Sequence, residues 1–428
     1  MKPGQTRWLV LTAAVFLAWP GREQAWTAII LPAISPFIVV NSAIAARSAD
    51  LLLLAALPLL VWAFFRPRPI CRHLCPTGLM QDCVARRGPI KDSWMSRLPP
   101  LGKWAVLATF GGALCGFPLF LWLDPLALFN AFINSWRSNT GFVAVASGLG
   151  LPLLLLLAWW RPKIWCQRLC PLGAVQELAW RSPSEVAPRT FSLLPARPPA
   201  LRRAGRPAGG YRRPVGRQRS VAEKGDEDES DAPAEKMPPG HGSRRDFLAA
   251  GAGACAALAP LRGLSSRGAP LRPPGSLPET SFAGVCVRCG NCAAVCPSRI
   301  IRSSLDWRQP EGLLAPTLDF SFDYCREDCH RCNTVCPSGA IARLSREEKR
   351  RRLIGLAHVD TSLCLLAQGR ECTACIQKCP YAALAIHSAD GGFSNEPLVD
   401  PAKCNGCGAC ETVCPVGPLR AIRVISRG

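Results

Sequence analysis

Sixteen of the 23 cysteines in this 428-residue chain lie between Cys286 and Cys414, in four groups of four. The groups begin at Cys286, Cys325, Cys364 and Cys404, a repeat of 39 or 40 residues. The first and fourth read Cys286-x2-Cys289-x2-Cys292-x3-Cys296-Pro and Cys404-x2-Cys407-x2-Cys410-x3-Cys414-Pro. The second gains a residue in its first gap (Cys325, Cys329, Cys332, Cys336), and the third has a seven-residue first gap (Cys364, Cys372, Cys375, Cys379). Three thiolates on a tight turn can hold three irons of a [4Fe–4S] cubane, while the fourth points to a neighbouring cluster. The spacing therefore predicts four [4Fe–4S] clusters, with each fourth cysteine starting a helix at its proline. Gly290 and Gly408 sit in the turns, where they let backbone amides approach sulfur. Zinc sites and disulfide scaffolds also use cysteine, but a four-fold repeat of this run fits neither.

A second cysteine system reads Cys71-Arg-His-Leu-Cys75-Pro and Cys166-Gln-Arg-Leu-Cys170-Pro. Its duplication argues for a shared task. Four thiolates could hold a fifth cluster or a metal, two dithiols could cycle as disulfides, or the pairs could carry no ligand. Cys83, Cys115 and Cys255 each stand alone. All five histidines fall outside the apolar runs and no Cys-x-x-Cys-His occurs, so no haem is expected. The basic run at 346–352 reads as a solvated helix face.

Net charge is +21, but from Gly275 onward there are 18 Lys and Arg against 15 Asp and Glu. The excess lies earlier, interleaved with apolar runs, which points away from nucleic acid and toward a membrane. The runs at 8–19, 51–65, 104–123 and 141–160 are read as four spans, with Trp8, Trp19, Trp62, Trp104, Trp122, Trp159 and Trp160 at their ends. The segment 27–46, interrupted by Pro32 and Pro36, reads as reentrant or surface-lying. Basic residues concentrate in 66–103 and 161–245, which places both Cys-x3-Cys-Pro loops in the cytoplasm. Residues 182–242, rich in Pro, Arg and Gly, read as a disordered linker.

"SRRDFLAAGAGACAALAPL", starting at Ser243, carries the twin-arginine pattern at Arg244-Arg245. That route exports folded, cofactor-loaded domains, which suits a cluster protein. Residues 243–265 are read as an internal, uncleaved signal-anchor that sends residues 276–428 outside. The predicted class is thus a membrane α-helical bundle (four spans in residues 1–181 plus the twin-arginine anchor helix), followed by an α+β polyferredoxin domain of ferredoxin-like repeats. Its expected place is the bacterial inner membrane, multi-pass, with the ferredoxin domain on the periplasmic side. The loop cysteines would then lie across the ~30 Å hydrocarbon layer from the other sixteen.

On these residues the chain resembles two families. Four apolar runs with two Cys-x3-Cys-Pro loops look like NapH, a membrane quinol dehydrogenase subunit. The Arg-Arg segment, "LRPPGSLPETSFAGVCVRCGNCAAVCP" and the later groups are similar to NapG, a twin-arginine-exported four-cluster ferredoxin, and to the methylamine-utilisation ferredoxins MauM and MauN. The resemblance implies oxidation of a quinol (menaquinol or ubiquinol) and delivery of electrons to a periplasmic reductase or its electron carrier. NapH-type proteins often end in their own two-cluster ferredoxin; here the linker takes that place. Asp50 and Asp124 are the acidic residues nearest a quinol site on this reading. The competing class is an assembly factor that reduces a metal or thiol in an exported metalloenzyme.

Overall fold

A computed structural model describes residues 3–18, 29–47, 52–85, 100–137, 142–180, 248–253, 255–256, 269–389 and 394–426. The chain divides into two units, residues 1–181 with 244–428, and residues 182–243. The predicted linker, Arg244-Arg245 and Asp50 lie outside the described residues.

The N-terminal part of the first unit is helical: α1 (Pro3–Ala18), α2 (Ile30–Ala33), α3 (Pro36–Ala46), α4 (Leu52–Phe65), α5 (Pro69–His73), α6 (Pro76–Val84), α7 (Leu101–Leu114), α8 (Pro125–Arg137), α9 (Phe142–Gly148), α10 (Gly150–Trp160) and α11 (Pro171–Ala179). Proline opens many of these helices, because its fixed φ suits the first turn and its missing N–H is an orphan there anyway. Both Cys-Pro pairs work this way. Cys75 caps α6 and Cys170 caps α11, each accepting a bond from the N–H of a glycine, Gly78 or Gly173.

Among the described residues no helix is long and apolar enough to cross a membrane. This overturns the predicted membrane bundle and the multi-pass inner-membrane location. Two of the apolar runs lie in helices too short to cross, and two are cut into shorter pieces. The first run falls in α1, which has 16 residues, roughly 24 Å against the ~30 Å of a hydrocarbon core. The helix α4 has 14 residues and contains Pro58. The 104–123 run breaks after α7 into a turn at Cys115–Gly116, with Gly116 at φ +86°. The last run is divided at Leu149 between α9 and α10. Of the segment 27–46, read as reentrant or surface-lying, the described residues 29–46 instead join the core. Phe37 and Ile38 of α3 are fully buried and pack with Leu121, Leu126 and Leu172. Residues 248–253 and 255–256, within the expected anchor, are helical. Gly253 lies against the Ala108 backbone and Ala250 against Gly111, so this helix packs on α7.

Among the described residues the C-terminal part mixes short helices with three two-stranded antiparallel sheets. Strands β1 (Ile301–Ser303) and β2 (Pro316–Leu318) pair Ile301 with Leu318. Strands β3 (Leu356–Val359) and β6 (Ile422–Ile425) pair Ala357 with Val424, and β4 (Leu384–Ala389) and β5 (Ser394–Val399) pair Leu384 with Val399. Buried Phe282, Val285, Ala340 and Ile341 form a core beneath the first cysteine group, and Ala357, Leu384 and Ile422 form one beneath the fourth.

Candidate iron–sulfur site

The sixteen C-terminal cysteines gather in four quartets, each drawing three members from one group and one from its neighbour. A cavity of about 470 Å³ is lined by Cys286, Cys289 and Cys292 with Cys336 of the second group. One of about 380 Å³ is lined by Cys364, Cys372 and Cys375 with Cys414 of the fourth group. A third, about 290 Å³, is lined by Cys404, Cys407 and Cys410 with Cys379 of the third group. Cys325, Cys329 and Cys332 share their field with Cys296 of the first group. Among the described residues no group of three or more His, Cys, Asp or Glu side chains could hold a single metal ion. Thiols ringed around a cavity suit a cubane, which has room for four irons between its ligands.

Burial first and neighbouring sulfurs second push the Cys375 thiol up to about 11, and burial with the nearby sulfurs of Cys379, Cys325 and Cys404 pushes Cys407 up to about 12. Four such thiols can ionise together only against compensating positive charge, which cluster iron supplies. The Cys325 thiol also rises through burial, but the ammonium of Lys349 opposes this. Lys349 belongs to the 346–352 run expected to be solvated, yet it is fully buried and donates to the Arg326 carbonyl. The neighbouring positions of that run do face out: Glu347, Glu348, Arg350 and Arg351 are exposed.

The helix geometry around each group differs from expectation. Cys296, Cys379 and Cys414 end the short helices Asn291–Val295, Ala374–Lys378 and Ala409–Val413 rather than starting new ones. The following proline stops the helix, since it cannot donate to the preceding turn. Gly290 and Gly408 begin two of these helices at φ +76° and +85°. At Gly408 a side chain would also collide with the Phe320 ring.

The two loop pairs meet as a fifth quartet. Cys170 lies in the field of Cys71, Cys166 and Cys75, and burial is the largest cause raising its thiol. Cys75 and Cys170 are 7% and 6% exposed. The Gly78 and Gly173 N–H groups donate to their sulfurs at 3.4 and 3.5 Å. Gln81 and Gln176, which the spacing of cysteines alone passed over, touch Cys166 and Cys71. His73 of the same loop stacks on Trp62 at 5.6 Å.

The expected separation of the two cysteine systems by a hydrocarbon layer does not hold. Cys75, Cys170, Val287 and Cys289 belong to one buried cluster. The helix α8 joins them: Asn134 donates to the Cys289 carbonyl at 2.8 Å and to Asn291 at 2.7 Å, and Asn130 donates to Asn291 at 2.6 Å. Arg288 lies over Trp122 at 5.7 Å. In the other direction, the Cys325 N–H donates to the Cys407 carbonyl at 2.9 Å, joining the second group to the fourth.

Asp124, named above as an acidic residue near a quinol site, is fully buried before α8. It accepts from the Ser35 hydroxyl at 2.5 Å and from the Leu126 and Ala127 N–H groups at 2.8 and 3.3 Å. Burial outweighs these bonds and raises its carboxyl from 3.8 to about 6. The folded state then holds a proton that the unfolded state releases between those values, so stability falls as pH rises from about 4 to about 6. The integrated loss is about 3 kcal/mol. Asp124→Asn should remove that slope, seen as the wild-type minus variant difference in anaerobic denaturant midpoints between pH 4.5 and 7.

Comparison with known proteins agrees with this chemistry. Residues 285–340 and 368–417 match a family described as a 4Fe-4S dicluster domain, and residues 50–101 and 140–189 one described as a 4Fe-4S binding domain. The chain is 36% identical over 174 residues to the methylamine utilization ferredoxin-type protein MauM of Methylobacillus flagellatus, covering 38% of this chain and 73% of that protein. With the ferredoxin-type protein NapG of Escherichia coli K12 it is 35% identical over 178 residues, covering 38% and 76%. With the ferredoxin-type protein NapF of the same strain it is 29% identical over 151 residues, covering 35% and 84%. No solved structure matches. The chain carries multiple [4Fe–4S] clusters and belongs to the MauM/NapG family of ferredoxin-type iron–sulfur proteins.

Proposed function

We propose that this chain is a multicentre electron carrier that takes electrons at the quinol level and delivers them to a periplasmic oxidoreductase. The observation that carries the reading is the three-plus-one sharing of cysteines between neighbouring groups. Sharing sets two clusters of a pair side by side, the arrangement a relay needs. Cys286, Cys289, Cys292 and Cys336 hold the first cluster, and Cys325, Cys329, Cys332 and Cys296 the second. Cys364, Cys372, Cys375 and Cys414 hold the third, and Cys404, Cys407, Cys410 and Cys379 the fourth. The Cys325–Cys407 backbone bond supports passage from the second to the fourth. Cys71, Cys75, Cys166 and Cys170 hold a fifth cluster next to the first, supported by their convergence and by the 4Fe-4S binding family that matches both loops. Buried thiols of raised pKa are poor nucleophiles, which disfavours disulfide cycling and with it a thiol-reducing assembly factor.

Electrons enter at the fifth cluster and leave at the third, where residues 368–371 are exposed beside the ligands. The family likeness to MauM and NapG, and the Arg244-Arg245 pattern, support a partner that works in the periplasm. The test uses anaerobic full-length protein, menadiol as quinol analogue, and a purified periplasmic oxidoreductase as electron acceptor. Menadiol should reduce the clusters, seen as bleaching near 400 nm, and the oxidoreductase should restore the colour. Failure of menadiol where dithionite succeeds removes the quinol donor, and failure of the oxidoreductase removes the acceptor.

A further inference from the structure

The two loop motifs extend beyond their cysteines. Residues 71–81 read Cys-Arg-His-Leu-Cys-Pro-Thr-Gly-Leu-Met-Gln, and residues 166–176 read Cys-Gln-Arg-Leu-Cys-Pro-Leu-Gly-Ala-Val-Gln. Each is Cys-x3-Cys-Pro-x-Gly-x2-Gln. The closing glutamines sit at the same place on α6 and α11, and both are buried, Gln81 at 3% and Gln176 at 0% exposure. An amide is seldom buried unless its polar atoms find partners.

Each glutamine reaches across to the first cysteine of the other motif. The Gln176 Nε2 lies 3.2 Å from Cys71 Sγ, and the Gln81 amide lies 3.1 Å from Cys166 Sγ. The two contacts are related by exchange of the motifs. The Gln176 orientation is settled by its other end, because Oε1 accepts the Ile70 N–H at 2.9 Å, so its NH2 faces sulfur. Across from a protonated Cys166, Gln81 accepts the S–H through Oε1, and its buried Nε2 has no partner. A metal-bound thiolate has no proton to give. A half-turn of the amide then presents Nε2 to the sulfur, making the same bond that Gln176 makes.

We propose that Gln81 and Gln176 are reciprocal N–H donors to the Cys166 and Cys71 thiolates of the fifth cluster, and that they raise its reduction potential. This rests on the reading of Cys71, Cys75, Cys166 and Cys170 as cluster ligands. One-electron reduction adds negative charge that the sulfurs share. An N–H bond to sulfur stabilises the reduced form more than the oxidised, so the potential rises with each donor. The glutamines are positioning residues: they act on the ligands, not on iron.

The experiment is a dithionite titration of anaerobic full-length protein followed by EPR, for wild type, Gln81→Met, Gln176→Met and the double variant. Methionine keeps the length and burial of glutamine without the N–H. The signal of the fifth cluster is identified as the one lost in Cys71→Ser with Cys166→Ser. Each single variant should shift that signal alone to more negative potential. The double variant should change its oxidised-to-reduced ratio at fixed potential about tenfold, which is about 59 mV for one electron. In wild type with 15N-labelled glutamine side chains, pulsed EPR should detect nitrogen coupled to the fifth cluster, independent of how the variants fold. Unchanged potentials in iron-replete variants, or no glutamine coupling in wild type, overturn the proposal. If no signal and no iron depend on Cys71 and Cys166, it is the fifth cluster itself that fails.

Discussion

Cys296→Ala is expected to damage the second cluster and spare the first, although Cys296 belongs to the first cysteine run. Its thiol shares the field of Cys329, and it packs with Cys325 and Cys332. The converse holds for Cys336→Ala, because Cys336 lines the cavity of Cys286, Cys289 and Cys292. Variants should therefore fall into pairs by the EPR signal they lose: Cys296→Ala with Cys329→Ala, and Cys336→Ala with Cys289→Ala. Each should cost between about one and four irons per molecule, as a cubane loses a corner or is lost whole. Pairing by run instead, with Cys296→Ala matching Cys289→Ala, would mean that each group ligates its own cluster.

The second large effect is expected from Cys71→Ala combined with Cys166→Ala. It should remove about four irons and abolish electron flow from menadiol to the terminal oxidoreductase, while the other four signals persist. The membrane reading of the sequence points the other way, because it places the two cysteine systems on opposite sides of a hydrocarbon layer. The structure puts Cys75, Cys170 and Cys289 in one buried cluster, with Asn134 bound to the Cys289 carbonyl. Flux that survives in the double variant would show electrons entering downstream of the loops.

The cysteine runs were legible because ligand spacing follows from chemistry, and the closing Cys-x2-Cys-x3-Cys-Pro recurs in every group while only the first gap varies. Which cysteine serves which cluster was legible only in outline, since the pairing of Cys296 with Cys329 depends on tertiary contact. The helical part was misread for a definable reason. Apolar content was counted along runs, while two of the runs are broken by single residues, Gly116 after α7 and Leu149 between α9 and α10. The same apolar side chains fill a core that also receives Val287 and Cys289. Lys349 was hidden in a basic run because composition does not reveal which one of several cations turns inward. Gln81 and Gln176 carried a signal that was available, the equal offset from Cys75 and Cys170 in a duplicated motif.

The quartets differ in how deeply they are set, and this bears on how the protein decays in air. Cys372 and Cys375 are half-buried and follow the exposed stretch Gln368, Gly369, Arg370 and Glu371. Cys75 and Cys170 lie deep in the helical core. Dissolved oxygen meets the first pair well before the second. A sample left aerobic should therefore lose its third cluster before its loop cluster, so that its ability to accept electrons outlives its ability to pass them on.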